Sequence, residues 1–167
     1  MENLWSAIDT TKILRTPRDI LKEQCNYLNE ATGGKVIAQV KPYEGKYQSE
    51  HVLVGPAWQI RYNNPKFEIK DFDVQSQLGD TTKFVYEFYL ASKAMSKYKY
   101  RIMFLYYDAS LYPIGISLDS SISNEIDQSN REFRVNTEEE FMDILKRILG
   151  SNRVASVITN LLSLNED

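Results

Sequence analysis

Hydrophobic and polar residues alternate in two stretches near the middle of the chain, which is the pattern of half-buried β-strands. The alternate apolar positions are Phe84, Tyr86, Phe88 and Leu90 in the first stretch and Tyr98, Tyr100, Ile102, Phe104 and Tyr106 in the second. A polar segment, residues 92–97, separates the two stretches and predicts a turn. A third apolar run, residues 113–118, follows a second turn at residues 108–110. We therefore predict an antiparallel meander.

The register of the first two strands can also be predicted. Placing Tyr86 opposite Ile102 and Phe88 opposite Tyr100 brings both aromatic rows onto one face. The same register sets Glu87 opposite Arg101 on the other face, as a favourable cross-strand pair. We expect the aromatic face to lie beneath helices and the charged face to meet solvent.

Helical patterns occur at both ends of the chain. Thr16 and Pro17 begin a predicted helix at residues 17–31, which Gly33 and Gly34 end. Residues 136–150 and 151–162 predict two further helices, the first with acidic residues in its first turn. Residues 4–14 predict a short irregular helix that packs a tryptophan on the domain. Residues 119–132 are polar and rich in serine, and they predict a mobile loop.

Further strands are predicted at residues 35–40, 51–54, 58–62 and 67–74. Helix, then strands, then two helices is the order typical of an α+β domain. The prediction is an antiparallel meandering sheet that is packed on one face by an N-terminal helix and a C-terminal pair of helices. We expect residues 1–167 to form this single domain, since no linker or repeat interrupts the pattern.

Composition narrows the class of protein without identifying it. The chain carries one cysteine and a formal net charge of −3, so neither a disulfide framework nor a polyanionic partner is required. No apolar run approaches the roughly 20 residues that cross a bilayer, and the first residues lack the basic and apolar regions of a secretory signal. We expect a cytoplasmic protein without a membrane contact and without a cofactor.

One stretch carries a resemblance to known proteins. Residues 16–24, Thr-Pro-Arg-Asp-Ile-Leu-Lys-Glu-Gln, are followed by Thr-Gly-Gly-Lys-Val at residues 32–36. Together they resemble the opening of small bacterial proteins of uncharacterised function. The resemblance implies a bacterial cytoplasmic origin and supplies no activity.

Residues that could support catalysis are few. His51 is the sole histidine and Cys25 the sole thiol, and Cys25 lies on the apolar stripe of a helix, where a buried inert thiol is the usual occupant. Glu68 and Lys70 have the spacing of a metal-dependent nuclease, but no acidic motif accompanies them. Glu138, Glu139 and Glu140 are explained by the helix dipole rather than by a metal. We predict no catalytic residue and no metal ligand, and we keep the nuclease as the least favoured alternative.

Two surfaces could bind a macromolecule. Lys97, Lys99 and Arg101 alternate with tyrosines and would suit nucleic acid, although the period places the rings and the charges on opposite faces. A second group, Tyr106, Tyr107 and Tyr112, lies near the second turn of the meander, and tyrosine is frequent at protein interfaces. An edge strand at residues 51–62 could extend the sheet into a homodimer, whereas Pro56 and Arg61 are equally explained as residues that prevent it.

The preferred hypothesis is a non-enzymatic module that binds another protein, as an adaptor, an inhibitor or an immunity-type partner. A nucleic-acid-binding module is the alternative. The preference rests on the absence of an assembled catalytic motif and on the number of tyrosines, 11 in the chain.

Overall fold

A five-stranded antiparallel sheet organises the structure, a computed structural model that describes residues 1–2, 4–5, 7–9, 11–43, 83–95, 97–127 and 131–164. The strands follow chain order across the sheet: β1 Val36–Pro42, β2 Lys83–Ser92, β3 Lys99–Asp108, β4 Ile114–Leu118 and β5 Glu132–Val135. Helices cover one face of the sheet. The predicted α+β fold with an antiparallel meander is confirmed.

Helix α1, Pro17–Ala31, begins as its sequence predicts. The Thr16 hydroxyl accepts a hydrogen bond from the Asp19 backbone N–H, and the Asp19 carboxylate accepts one from the Thr16 N–H. This reciprocal pair satisfies two donors that the helix itself leaves open. Ile20 and Leu21 are fully buried against the sheet. Gly33 and Gly34 follow the helix with φ of +61° and +79°, where glycine carries no steric penalty.

The predicted mobile loop at residues 119–132 is wrong. Helix α2, Ser120–Ile126, and strand β5 occupy part of it. Ile122 anchors α2 because its side chain is fully buried in the core, and Ile126, one turn later, packs against the same core. The Glu125 carboxylate accepts hydrogen bonds from the backbone N–H groups of Asn152 and Arg153, at 2.6 and 3.3 Å. These tertiary contacts hold a segment whose sequence is mostly polar and whose only apolar residues are Ile122 and Ile126.

The two C-terminal helices are confirmed. Helix α3 spans Glu138–Leu149 and helix α4 spans Asn152–Leu164. The Thr137 hydroxyl caps α3 by accepting from the Glu140 N–H. The Ser151 hydroxyl accepts from the Val154 N–H at the start of α4. Both helices bury their apolar stripe in the same core as α1.

The predicted register of β2 and β3 is wrong. Tyr86 lies opposite Leu105, and Phe88 lies opposite Met103. The register then shifts, so that Tyr89 faces Arg101 and Ile102 is the extra residue of a β-bulge on β3. A bulge interrupts the alternation of side chains, and no local feature of the sequence reveals where it occurs.

The bulge separates side chains that a regular strand would place together. Ile102, Met103, Leu105 and Tyr107 belong to the main core beneath the helices. Phe104 and Tyr106 form a second buried cluster with Val85, which Tyr43 joins from the end of β1. The expectation that one face holds every ring and the other only solvated charge is therefore wrong.

In the N-terminal segment, defined here as residues 1–14, the described large apolar side chains are exposed rather than buried on the domain as predicted. Its described residues form turns, with hydrogen bonds from the Ile8 N–H to the Trp5 carbonyl and from the Lys12 N–H to the Asp9 carbonyl. Trp5 is 74% exposed. None of the described residues of the segment is helical, so the predicted short helix that buries a tryptophan is not formed among them.

Several predictions lie outside the described residues. They are the strands predicted at 51–54, 58–62 and 67–74, and with them the homodimer edge near Pro56 and Arg61. The single domain over residues 1–167 stays a prediction for the same reason. Within the described ranges, no helix has the length and apolar character needed to cross a membrane.

Candidate functional site

The three tyrosines proposed as a contact surface do not form one exposed patch. Tyr106 and Tyr107 are consecutive on β3 and therefore point to opposite faces of the sheet, where they are 2% and 3% exposed. Tyr112 is half-buried in the turn before β4, and its buried hydroxyl has no hydrogen-bond partner among the described residues. The three tyrosines are close in the sequence, but the alternation of side chains along β3 places Tyr106 and Tyr107 on opposite faces of the sheet.

Tyr107 contributes to the core near the start of α1. Its ring stacks on Tyr86 at 5.9 Å between centroids, and the Arg18 guanidinium lies 5.2 Å from the Tyr86 ring. Burial raises the pKa of the Tyr107 hydroxyl to about 12, and the neighbouring Tyr86 adds to that effect. The Tyr107 hydroxyl therefore stays protonated at neutral pH, and its ring contributes to the packing of helix α1 on the sheet.

Two of the three basic residues proposed for nucleic acid, Lys99 and Arg101, converge on one buried carboxylate. The Lys99 ammonium lies 2.5 Å from Glu87 Oε1, and Arg101 Nε donates to Glu87 Oε2 at 3.0 Å. Glu87 is only 8% exposed. The predicted contact between Glu87 and Arg101 is thus present, although the bulge makes it diagonal rather than directly cross-strand.

Aromatic rings complete this cluster. Lys99 lies 4.4 Å above the Tyr89 ring, and Arg101 lies 4.5 Å from the centroid of Phe104. A ring face favours a nearby cation, so both charges are satisfied within the sheet by the carboxylate and by the rings. Lys97 is exposed in the turn before β3. Nucleic-acid binding by these three residues stays a prediction.

A further polar cluster joins β3 to the C-terminal helices. The Tyr100 hydroxyl donates to Asp119 Oδ2 at 2.6 Å, and the Arg153 guanidinium lies 5.2 Å from the Tyr100 ring. Burial, and then the Asp119 carboxylate, raise the pKa of Tyr100. The Tyr100 hydroxyl therefore stays protonated and donates to Asp119. Through this hydrogen bond and the contact of its ring with Arg153, Tyr100 links the starts of α2 and α4 to the sheet.

The remaining candidates for chemistry are Cys25, His51, Glu68 and Lys70. Cys25 is buried in α1, and burial raises the pKa of its thiol to about 11. That environment suppresses the thiolate that a nucleophile needs. His51, Glu68 and Lys70 lie outside the described residues. Among the residues that are described, no group of three histidine, cysteine or acidic side chains could hold a metal ion.

Glu138, Glu139 and Glu140 occupy the first turn of α3, as predicted from the helix dipole. Glu140 accepts a hydrogen bond from the Asn136 backbone N–H, and Glu138 lies 3.7 Å from Arg15. Two of the three acids therefore support local structure.

The N-terminal segment presents an unusual surface. Besides the terminal Met1, five large apolar residues within it are each more than half exposed: Leu4, Trp5, Ile8, Ile13 and Leu14. Single exposed apolar residues are common, but several in one short segment typically mark a contact site. Their spacing is visible in the sequence, where it predicts packing within the domain. Periodicity shows that a face is apolar, but it does not show what covers that face.

Comparisons with protein families, with curated proteins and with solved structures found no match to this chain.

Proposed function

We propose that the protein acts by non-covalent contact with another protein, and that the N-terminal segment supplies the contact. The observation that supports this proposal is the exposure of the five large apolar side chains between Leu4 and Leu14, from 57% at Ile8 to 92% at Ile13. Each such side chain contributes about 1.5–3 kcal/mol when it is fully buried. Contact with a partner is the direct way for this segment to gain that free energy.

Several apolar anchors are needed for a stable complex. Association costs about 4–15 kcal/mol in lost translational and rotational freedom, so one buried residue does not suffice. Trp5 is the expected centre of the contact, since tryptophan is enriched among residues that dominate binding. Ile13 and Leu14 lie next to Arg15, which forms an ion pair with Glu23 of α1. That ion pair fixes the end of the segment on the folded domain.

The class of partner follows from the chemistry of the segment. A surface of one indole and four aliphatic side chains suits an apolar groove on a folded protein. An adaptor, an inhibitor or an immunity-type protein would use such a segment to engage its target. The single cysteine and the resemblance of residues 16–36 to bacterial proteins support a bacterial cytoplasmic setting.

Site-specific photo-crosslinking would test the proposal. A photoreactive phenylalanine analogue at position 13 should capture one protein in cells that express the chain naturally, and the same analogue at exposed Glu139 should not. Trp5→Ala should then weaken binding of the purified partner by about tenfold or more. Met142→Ala, which removes an exposed apolar side chain from α3, is the matched control.

Two results would contradict the proposal. One is equal capture from positions 13 and 139, which would indicate non-specific adhesion. The other is a purified complex whose affinity is unchanged by Trp5→Ala and by Ile13→Ala together.

A further inference from the structure

Helices α1 and α4 stand apart on the sheet and leave a cleft of about 290 Å³ between them. Its floor consists of sheet residues Ala38, Phe88, Leu90 and Ile102, all of which are buried. Leu28 forms part of one wall from α1, while Val154 and Ile158 form the opposite wall from α4. The cleft is therefore a concave site that reaches from the helical layer down to the sheet.

Two alanines keep this space open. Ala38 lies between Val36 and Val40 on the core-facing side of β1, where either neighbour carries a larger side chain. Ala31 ends α1 at the rim of the cleft. A leucine at either position would extend into the space between the helices, so the volume depends on these two methyl groups.

The lining determines what could be bound. None of the described residues that line the cleft is charged, and among them only Gln24 and Tyr27 carry polar side-chain groups. Tyr27 is 63% exposed and therefore lies at the mouth. An ionised group inside would lose its hydration without gaining a partner. An apolar pocket with a few polar groups is the usual form of a small-molecule site.

We propose that this cleft binds an uncharged, largely aliphatic small molecule whose single hydrogen-bonding group lies at the mouth, near Gln24 and Tyr27. An apolar cavity of about 150 Å³ holds one benzene molecule, so 290 Å³ accommodates about twelve non-hydrogen atoms. The site is separate from the N-terminal segment and does not depend on the proposed protein contact.

A peptide is a poorer occupant than such a molecule. Each residue of a peptide carries a backbone N–H and carbonyl, which must be paired when they are buried. The cleft offers two polar side chains, both from α1, which cannot pair the backbone of an inserted segment. An aliphatic molecule carries no such groups along its length and meets only apolar walls.

Methyl NMR titration of the full chain with 1-decanol would test the proposal. Saturable shifts should concentrate on the methyl groups of Leu28, Val154 and Ile158. Ala38→Leu and, separately, Ala31→Leu should weaken binding by at least about tenfold, since each fills the space that the ligand needs. Ala155→Leu, at an exposed position of α4 outside the lining, is the matched control and should leave binding unchanged.

Three outcomes would overturn the proposal. The first is the absence of saturable shifts when the same spectra show that the wild-type protein is folded. The second is binding of 1-decanol that is unchanged both by Ala38→Leu and by Ala31→Leu. The third is a dimer in sedimentation that Ala31→Leu disrupts and 1-decanol does not, because the cleft would then be occupied by a second copy of the chain.

Discussion

Glu87 is a buried carboxylate whose charge is balanced by Lys99 and Arg101. We expect Glu87→Gln to lower the free energy of unfolding by about 1–3 kcal/mol, because both cations lose an ionised partner while the side-chain shape is retained. Urea denaturation would measure the change. Glu139→Gln, at an exposed position of α3, should alter stability by less than about 0.5 kcal/mol. Equal effects of the two substitutions would show that the buried cluster contributes no stability.

Cys25 provides a residue-scale prediction about pH. Burial raises the pKa of its thiol to about 11, compared with about 9 for the thiol in the unfolded chain. Between these values the unfolded chain loses the thiol proton and the folded chain keeps it, so this contribution to stability falls as pH rises. The stability of the wild type minus that of Cys25→Ala should therefore decrease from pH 8 to pH 10.

Urea denaturation at several pH values would measure that difference. Tyrosine titration occurs in both proteins and is removed by the subtraction. A difference that stays constant with pH would show that the thiol ionises equally in both states.

At the scale of elements, the sequence predicts those helices and strands whose ends are determined by neighbouring residues. Helix α1 begins at Pro17 because Thr16 and Asp19 cap it, and both residues are visible in the sequence. The local sequence does not predict helix α2, because Ile122 and Glu125 are stabilised by distant partners in the core and at the start of α4. The sequence does not predict the bulge at Ile102, because one extra residue in the pairing of β3 with β2 leaves no mark on the sequence of β3 itself.

The pairing of β3 with β4 gives an element-scale prediction. Gly115 lies opposite Tyr106, and a Cβ at position 115 would lie 2.1 Å from the Tyr106 ring. Gly115→Ala should therefore destabilise the protein by about 1–3 kcal/mol, since the ring must move within a buried cluster. Adding Tyr106→Leu should recover part of that loss, because the smaller side chain removes the clash.

A double-mutant cycle would measure the coupling between these positions by urea denaturation. We expect a coupling of about 0.5–3 kcal/mol for Gly115→Ala with Tyr106→Leu. Gly115→Ala with Tyr89→Leu is the control, and these two changes should be additive. Additivity in both cycles would contradict the close approach of the ring to Gly115.

For the molecule as a whole, apolar patterns predicted the α+β class and the helical layer on one face of the sheet. They could not locate the cleft between α1 and α4, since its volume depends on how far apart two elements from opposite ends of the chain are placed. They also could not distinguish apolar residues that pack within the domain from those of the N-terminal segment. Both surfaces proposed for binding thus arise from the tertiary arrangement rather than from any motif.

Deletion of residues 1–14 separates folding from binding at the same scale. The capping pair of Thr16 and Asp19 and the ion pair of Arg15 with Glu23 both remain, so α1 should keep its start. We expect the free energy of unfolding to change by less than about 0.5 kcal/mol, because the large apolar residues removed are mostly exposed. Urea denaturation would measure this, and 1-decanol should bind as before. A loss of several kcal/mol would mean that the segment belongs to the core, and the proposed protein contact would then lose its support.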